Sequence, residues 1–271
     1  MRRAAGPAAA ALAAALAACS GSLPPLRGQM EVGRDGYAVF VAGTGPAGGD
    51  LYAVRTEGGP VVPITFSAVG EMRPTLSPDG GMLAFLRGAS LRDSTPGSVW
   101  VMNLLSGAER EVGLPRTAGV PRQVGWSLDG RSLVVAAGGG LYRASAPPAR
   151  PDATPVPVAE RAAAESVLAV LLGRPAFGRV VPCAEPGALC VAGDSGAPGL
   201  LARGARDPAR WGDDSVLFFV GDAVEVRPLG PGRARRLDWE GAPGRPRQMT
   251  VFVGAGDRNA RPASSGDDGQ M

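Results

Sequence analysis

Residues 73–88 read RPTLSPDGGMLAFLRG, and residues 98–104, after an intervening loop, read SVWVMNL. Ser77-Pro78-Asp79-Gly80 is turn chemistry: proline fixes φ, the aspartate side chain bonds backbone two residues on, and glycine accepts a positive φ. The apolar runs at 82–86 and 99–102 are short and rich in strand formers. The stretch therefore predicts a β-hairpin leading into a third strand. A fourth strand follows at 108–112, after the turn Leu105-Ser106-Gly107.

The theme recurs along the chain. Residues 121–143 read PRQVGWSLDGRSLVVAAGGGLYR, where Trp126-Ser127-Leu128-Asp129-Gly130 matches Leu76-Ser77-Pro78-Asp79-Gly80 in type, with leucine in place of the proline. A looser copy begins at Asp207 and runs through Trp211-Gly212-Asp213-Asp214 to apolar runs at 216–219 and 223–226. Leu76 and Trp126 stand 50 residues apart, and Trp126 and Trp211 stand 85 apart. The longer gap is about two periods of ~40–45 residues, the length of a four-stranded propeller blade. A degenerate unit is therefore expected between them, with Val180-Val181, Leu189-Cys190-Val191 and Leu200-Leu201-Ala202 as its strands. Upstream, the runs at 37–41, 51–54 and 61–64 are separated by glycine-rich turns and predict an antiparallel meander. Residues 249–253 (MTVFV) form a further strand that either completes the first sheet or edges the last one. Residues 159–172 (AERAAAESVLAVLL) have helical propensity, yet the end at 167–172 also reads as a buried strand, and strand is the expectation taken there.

The pattern P-x-[W/L]-S-x-D-G-x-x-L-[A/V]-[F/V], followed by a strand and a small-residue turn, resembles the TolB-like subset of β-propeller repeats. Residues 73–112 match it closely, 121–143 clearly and 207–237 loosely. Leu128, Gly212-Asp213-Asp214 and the absence of a turn motif in the middle unit depart from it. The resemblance implies an all-β propeller of five to six four-stranded blades over residues 37–253, with a protein or peptide of the cell envelope as ligand. The repeat-turn residues it marks are Ser77, Pro78, Asp79, Gly80, Ser127, Asp129 and Gly130.

The ends read differently. Residues 1–18 carry two arginines and an Ala/Leu run too short to span a bilayer, which predicts a secretory leader. Leu16-Ala17-Ala18-Cys19 resembles the bacterial lipobox, which implies acylation of Cys19 and membrane attachment through that lipid. Ser20 after the cysteine is what the resemblance associates with the outer membrane, the protein facing the periplasm or the cell surface. Residues 19–36 read as a flexible tether and 254–271 as a disordered tail.

Composition removes several chemistries. The chain of 271 residues is 45% hydrophobic, with 41 glycines and 26 prolines, a balance that suits short strands and turns. All 28 basic residues are arginine, the formal charge is +3, and nothing calls for nucleic acid. Gly193-Asp194-Ser195-Gly196 resembles a serine-protease nucleophile loop, but the sequence has no histidine and no lysine, so neither a Ser-His-Asp triad nor a Ser-Lys dyad can form around Ser195. The same lack of histidine argues against a zinc site. Asp79, Asp129 and Asp213 recur at corresponding turns; they read as turn caps, with calcium binding the alternative. Cys183 and Cys190 flank the turn at Glu185-Pro186-Gly187 and read as a disulfide, or else as two separate thiols. Trp100, Trp126, Trp211 and Trp239 read as core residues at or beside comparable strand positions, with a sugar-stacking platform the alternative, and the arginine-rich stretch 227–236 as a solvated turn, with a phosphate or peptidoglycan contact the alternative.

The expectation is a non-enzymatic envelope lipoprotein, a propeller scaffold that binds a protein or peptide and needs no cofactor or metal. The loop at 87–97 is its expected contact. The alternatives are a propeller hydrolase or lactonase using carboxylates and a metal, and a purely structural spacer.

Overall fold

The computed structural model describes residues 26, 28–43, 49–88, 96–147, 152–171, 180–192, 199–212, 215–229, 232–241, 243–244 and 246–254. Short apolar runs broken by turns give antiparallel sheets in succession, the blades of a β-propeller. Sheet I orders its strands β21-β1-β2-β4, with β1 at Tyr37–Ala42, β2 at Asp50–Arg55, β4 at Val62–Pro63 and β21 at Arg247–Phe252. Sheet II is β5 (Glu71–Leu76), β6 (Met82–Gly88), β7 (Pro96–Asn103) and β8 (Glu109–Val112). Sheet III is β9 (Pro121–Trp126), β10 (Ser132–Ala137), β11 (Gly140–Ser145) and β12 (Thr154–Pro155). Sheet IV has three strands among the described residues, β13 (Val180–Pro182), β14 (Ala188–Val191) and β15 (Gly199–Arg203). Sheet V is β16 (Ala205–Trp211), β17 (Ser215–Val220), β18 (Ala223–Pro228) and β19 (Arg235–Leu237). A short parallel pair, β3 (Gly59–Pro60) with β20 (Trp239–Glu240), ties the end of sheet V to sheet I.

The core lies between the sheets, and sheets I, II and V each bury side chains from both faces in separate clusters. Alternate residues of β1 divide it: Tyr37, Val39 and Val41 pack with Leu83 and Phe85 of sheet II, while Ala38, Phe40 and Ala42 pack with Leu217 and Phe219 of sheet V. In β6, Ala84 and Leu86 turn the other way, onto Val124, Trp126 and Leu133 of sheet III. Period-two alternation thus serves two cores instead of one core and solvent. Each fully buried large side chain contributes roughly 1.5–3 kcal/mol.

One expectation is settled by these contacts and three are corrected. The C-terminal strand pairs with β1, as in Ala38 with Val251, so β21 completes the first sheet. The expected strand at 167–172 is instead the end of helix α1 (Arg161–Leu171). Ala164 and Leu168 of α1, four apart on one face, pack on Val134 of β10, and the Leu168 carbonyl accepts the Gln123 amide at 2.7 Å. The span read as a tether is partly built into the body: Leu26 is fully buried and Met30 nearly so, in the cluster with Tyr37 and Phe252. The tryptophans are not equivalent either. Trp126 and Trp211 end the first strands of their sheets, whereas Trp100 lies in β7 and Trp239 in β20.

Candidate functional site

The repeat-turn residues are tied up in holding the turns. Ser77 Oγ donates to Asp79 Oδ1 at 2.5 Å, Gly81 N–H donates to the same oxygen at 3.0 Å, and Met82 N–H donates to Ser77 Oγ at 2.9 Å. Ser127, Asp129, Arg131 and Ser132 repeat this network bond for bond, at 2.6, 3.0 and 3.0 Å. The serine hydroxyl on each carboxylate holds Asp79 and Asp129 below the usual aspartate range. Pro78 and Leu128 are exposed at their turns, so swapping one for the other removes no bond. Gly80 has φ +71°, and a Cβ there would stand 2.7 Å from the Phe252 ring. Among the described residues no three His, Cys, Asp or Glu side chains gather as a metal site. Asp213 lies outside the described residues, as do Cys19 and Ser195.

Arg87, at the start of the expected contact loop, is already engaged; residues 89–95 are not described. Its guanidinium pairs with Glu71 at 3.1 Å and Glu109 at 2.9 Å and lies 4.3 Å over the Trp100 ring. Glu71 is fully buried and also accepts the Thr65 hydroxyl at 3.0 Å. Burial pushes its carboxyl up to about 7 against the opposing pull of Arg87. Cys183 and Cys190 are joined by a disulfide. Trp126 is buried and donates its indole N–H to the Thr75 carbonyl at 3.0 Å. In the basic turn, Arg233, Arg235 and Arg236 are exposed, and Arg235 lies 5.7 Å over the Trp211 ring.

The feature that stands out was not among the sequence candidates. The first strands β5, β9, β16 and β21 converge on a cavity of about 270 Å³ lined by Arg73, Thr75, Gln123, Asp207, Gln248 and Met249 together with Pro74, Val124 and Pro208. All four of these strands lose register at the lining: β5 between Met72 and Thr75, β9 between Pro121 and Gln123, β16 between Arg206 and Ala209, and β21 opposite Val39 and Val41. In β5, β16 and β21 a residue other than glycine takes a left-handed backbone, Arg73 (φ 53°), Asp207 (φ 49°) and Gln248 (φ 52°), and among the described residues no other non-glycine does so. Each such conformation costs roughly 1–3 kcal/mol, and bulges re-aim side chains.

The lining is polar with few internal partners. Arg73 N–H donates to Gln248 Oε1 at 2.7 Å, which leaves the Gln248 amide NH₂ uncommitted among the described residues. Thr75 is 1% exposed, and its hydroxyl has no hydrogen-bond partner among the described residues. Asp207 is paired with Arg206 at 3.4 Å, and Arg206 is itself held by the Gly221 carbonyl at 2.6 Å and stacked 4.9 Å over Phe219. Arg73 is exposed and makes no ion pair among the described residues.

No protein-family model and no curated protein matches the sequence. Among solved structures the chain is similar to TolB from Acinetobacter baumannii, at 13% identity and a TM-score of 0.46, over 80% of this chain and 67% of that one. It is similar to a chain of a nidogen/laminin complex at 10% identity and a TM-score of 0.38, over 80% of this chain and 99% of the other. It is also similar to a periplasmic gluconolactonase from Pseudomonas aeruginosa at 16% identity and a TM-score of 0.31, over 75% and 67%.

Proposed function

We propose that the chain is a non-enzymatic binding module of the cell envelope, a propeller scaffold attached to a membrane through a lipid on Cys19, with its ligand site in the pocket between the first strands. The ligand of this reading is a protein or peptide. The observation that carries it is the convergence of Arg73, Asp207 and Gln248, three left-handed side-chain-bearing residues from distant parts of the chain, on one cavity. A hydrolase would need several convergent carboxylates. Among the described residues the only one in this lining is Asp207, and it is committed to Arg206.

A photo-crosslinking amino acid placed at Arg73, and separately at the exposed outer-strand residue Arg110, tests the site in intact cells. The reading expects a discrete adduct from position 73 and none from 110. Equal labelling at both positions, or none at 73, removes the pocket as the binding site. The anchor is tested apart: Cys19→Ser should release the protein from the membrane fraction, and retention after a salt wash argues against the lipid.

A further inference from the structure

We infer that the pocket recognises a carboxylate carried on an apolar body, with Arg73 as its cation; this rests on the pocket being the binding site. The lining leaves more donors than acceptors without a partner. The Arg73 guanidinium, the Gln248 amide NH₂ and the Thr75 hydroxyl are uncommitted among the described residues, against the Gln123 amide oxygen, whose NH₂ is held by the Leu168 carbonyl, and the one Asp207 oxygen that Arg206 does not meet. A buried hydroxyl without a partner is costly, and a ligand acceptor would relieve it. Asp207 does not cancel Arg73, because Arg206 already meets its charge. The lining together with Arg206 therefore carries one net positive charge, which a carboxylate balances and a doubly charged phosphate does not.

The rest of the wall is apolar. Pro74, Val124, Pro208 and Met249 surround the donors, and a cavity of about 270 Å³ holds a small group, not a folded domain. The matching chemistry is a single carboxylate with a short aliphatic neighbour, supplied by the free end of a peptide chain or by a small aliphatic acid. Arginine is the residue suited to this recognition, since its planar fork meets both carboxylate oxygens.

Three probes separate the possibilities by calorimetry, with amide chemical shifts locating the contact: N-acetyl-Ala-Ala-Leu with a free carboxylate, its C-terminal amide, and 4-methylpentanoate. The free-acid peptide should bind saturably and perturb Arg73, Thr75 and Gln248. The amide should bind at least about tenfold more weakly, the loss expected of one hydrogen-bonded charge. Arg73→Gln should bring the acid down to the level of the amide while the melting temperature stays near wild type. Binding of 4-methylpentanoate as well assigns the site to small acids, and its failure beside a binding peptide acid assigns it to chain ends. Equal affinity of acid and amide at the pocket overturns the carboxylate inference and leaves the binding site standing. Perturbations confined to another surface overturn both. Absence of binding by all three overturns the carboxylate inference, and the crosslink at position 73 then decides the site separately.

Discussion

Sheet II keeps four strands, buries Leu83, Ala84, Phe85 and Leu86 completely in β6, and closes its first turn with Ser77 and Asp79. Sheet IV has, among the described residues, three strands, an exposed Gly199 and Leu200 at the start of β15, and no Ser-Asp turn. Its first hairpin is held by the Cys183–Cys190 disulfide, by Cys183 N–H to the Ala188 carbonyl at 3.0 Å, and by an exposed Arg203–Glu185 pair. The contrast teaches how a repeat decays. Once local side-chain bonds are lost, one covalent link and contact with the neighbouring sheet hold the strands together. Sheet IV keeps that contact through Val180, Leu189 and Leu201, which pack against Val216 and Phe218 of sheet V.

The comparison can be broken at five points, from the largest effect to the smallest. Phe85→Ala should cost about 3–5 kcal/mol of global stability in chemical denaturation, because the cavity opens between two sheets. Leu189→Ala should cost about 2 kcal/mol, and a loss equal to that of Phe85 would erase the distinction. Reducing the disulfide should lower stability by about 2 kcal/mol, with hydrogen-exchange protection lost in β13–β15 and kept in β5–β8.

Glu71 adds a pH signature to sheet II. Its folded carboxyl, near 7, lies above the ordinary 4.5, so folding favours the protonated form. Its ionisation therefore subtracts stability progressively as pH rises from 4.5 to about 7, and no further above that. The difference in unfolding free energy between wild type and Glu71→Gln should change across that window and be flat above it. The smallest effect belongs to the turns. Ser77→Ala should cost about 1 kcal/mol and move the Asp79 carboxyl back toward its ordinary range, read by NMR titration of its side-chain carbon.

What could be read from the sequence follows from where the information sits. The Ser77 and Ser127 turns are written locally, since the bonds that close them join residues at most five apart. The β21 strand was visible as a strand, but its partner was not, because pairing with β1 spans nearly the whole chain. The apolar run ending α1 suits either kind of buried segment, and what selects helix is packing on β9 and β10 together with the Ala-rich turn before it. Leu26 and Met30 stood in a polar stretch, yet their spacing of four is that of one helical turn, and Met30 N–H does bond the Leu26 carbonyl at 3.2 Å. The pocket was hidden because its walls come from four strands far apart in the chain. Its one local trace was Pro74 after Arg73 and Pro208 after Asp207, prolines inside first strands, where a bulge is the way to accommodate them.

The burial of Leu26 has a geometric consequence for the proposed lipid on Cys19. Only seven links separate the two residues, a leash of at most roughly 25 Å. Leu26 shares its buried cluster with Leu76, and Gly33 sits against the Asp79 carbonyl, both beside the edge bearing the Ser77 turn, whereas Arg73, Asp207 and Gln248 stand second or third in their strands, away from that edge. A body moored so closely would present its turn edge to the bilayer and its strained residues to the water beyond, so that whatever docks there would have to approach from the side facing away from the lipid.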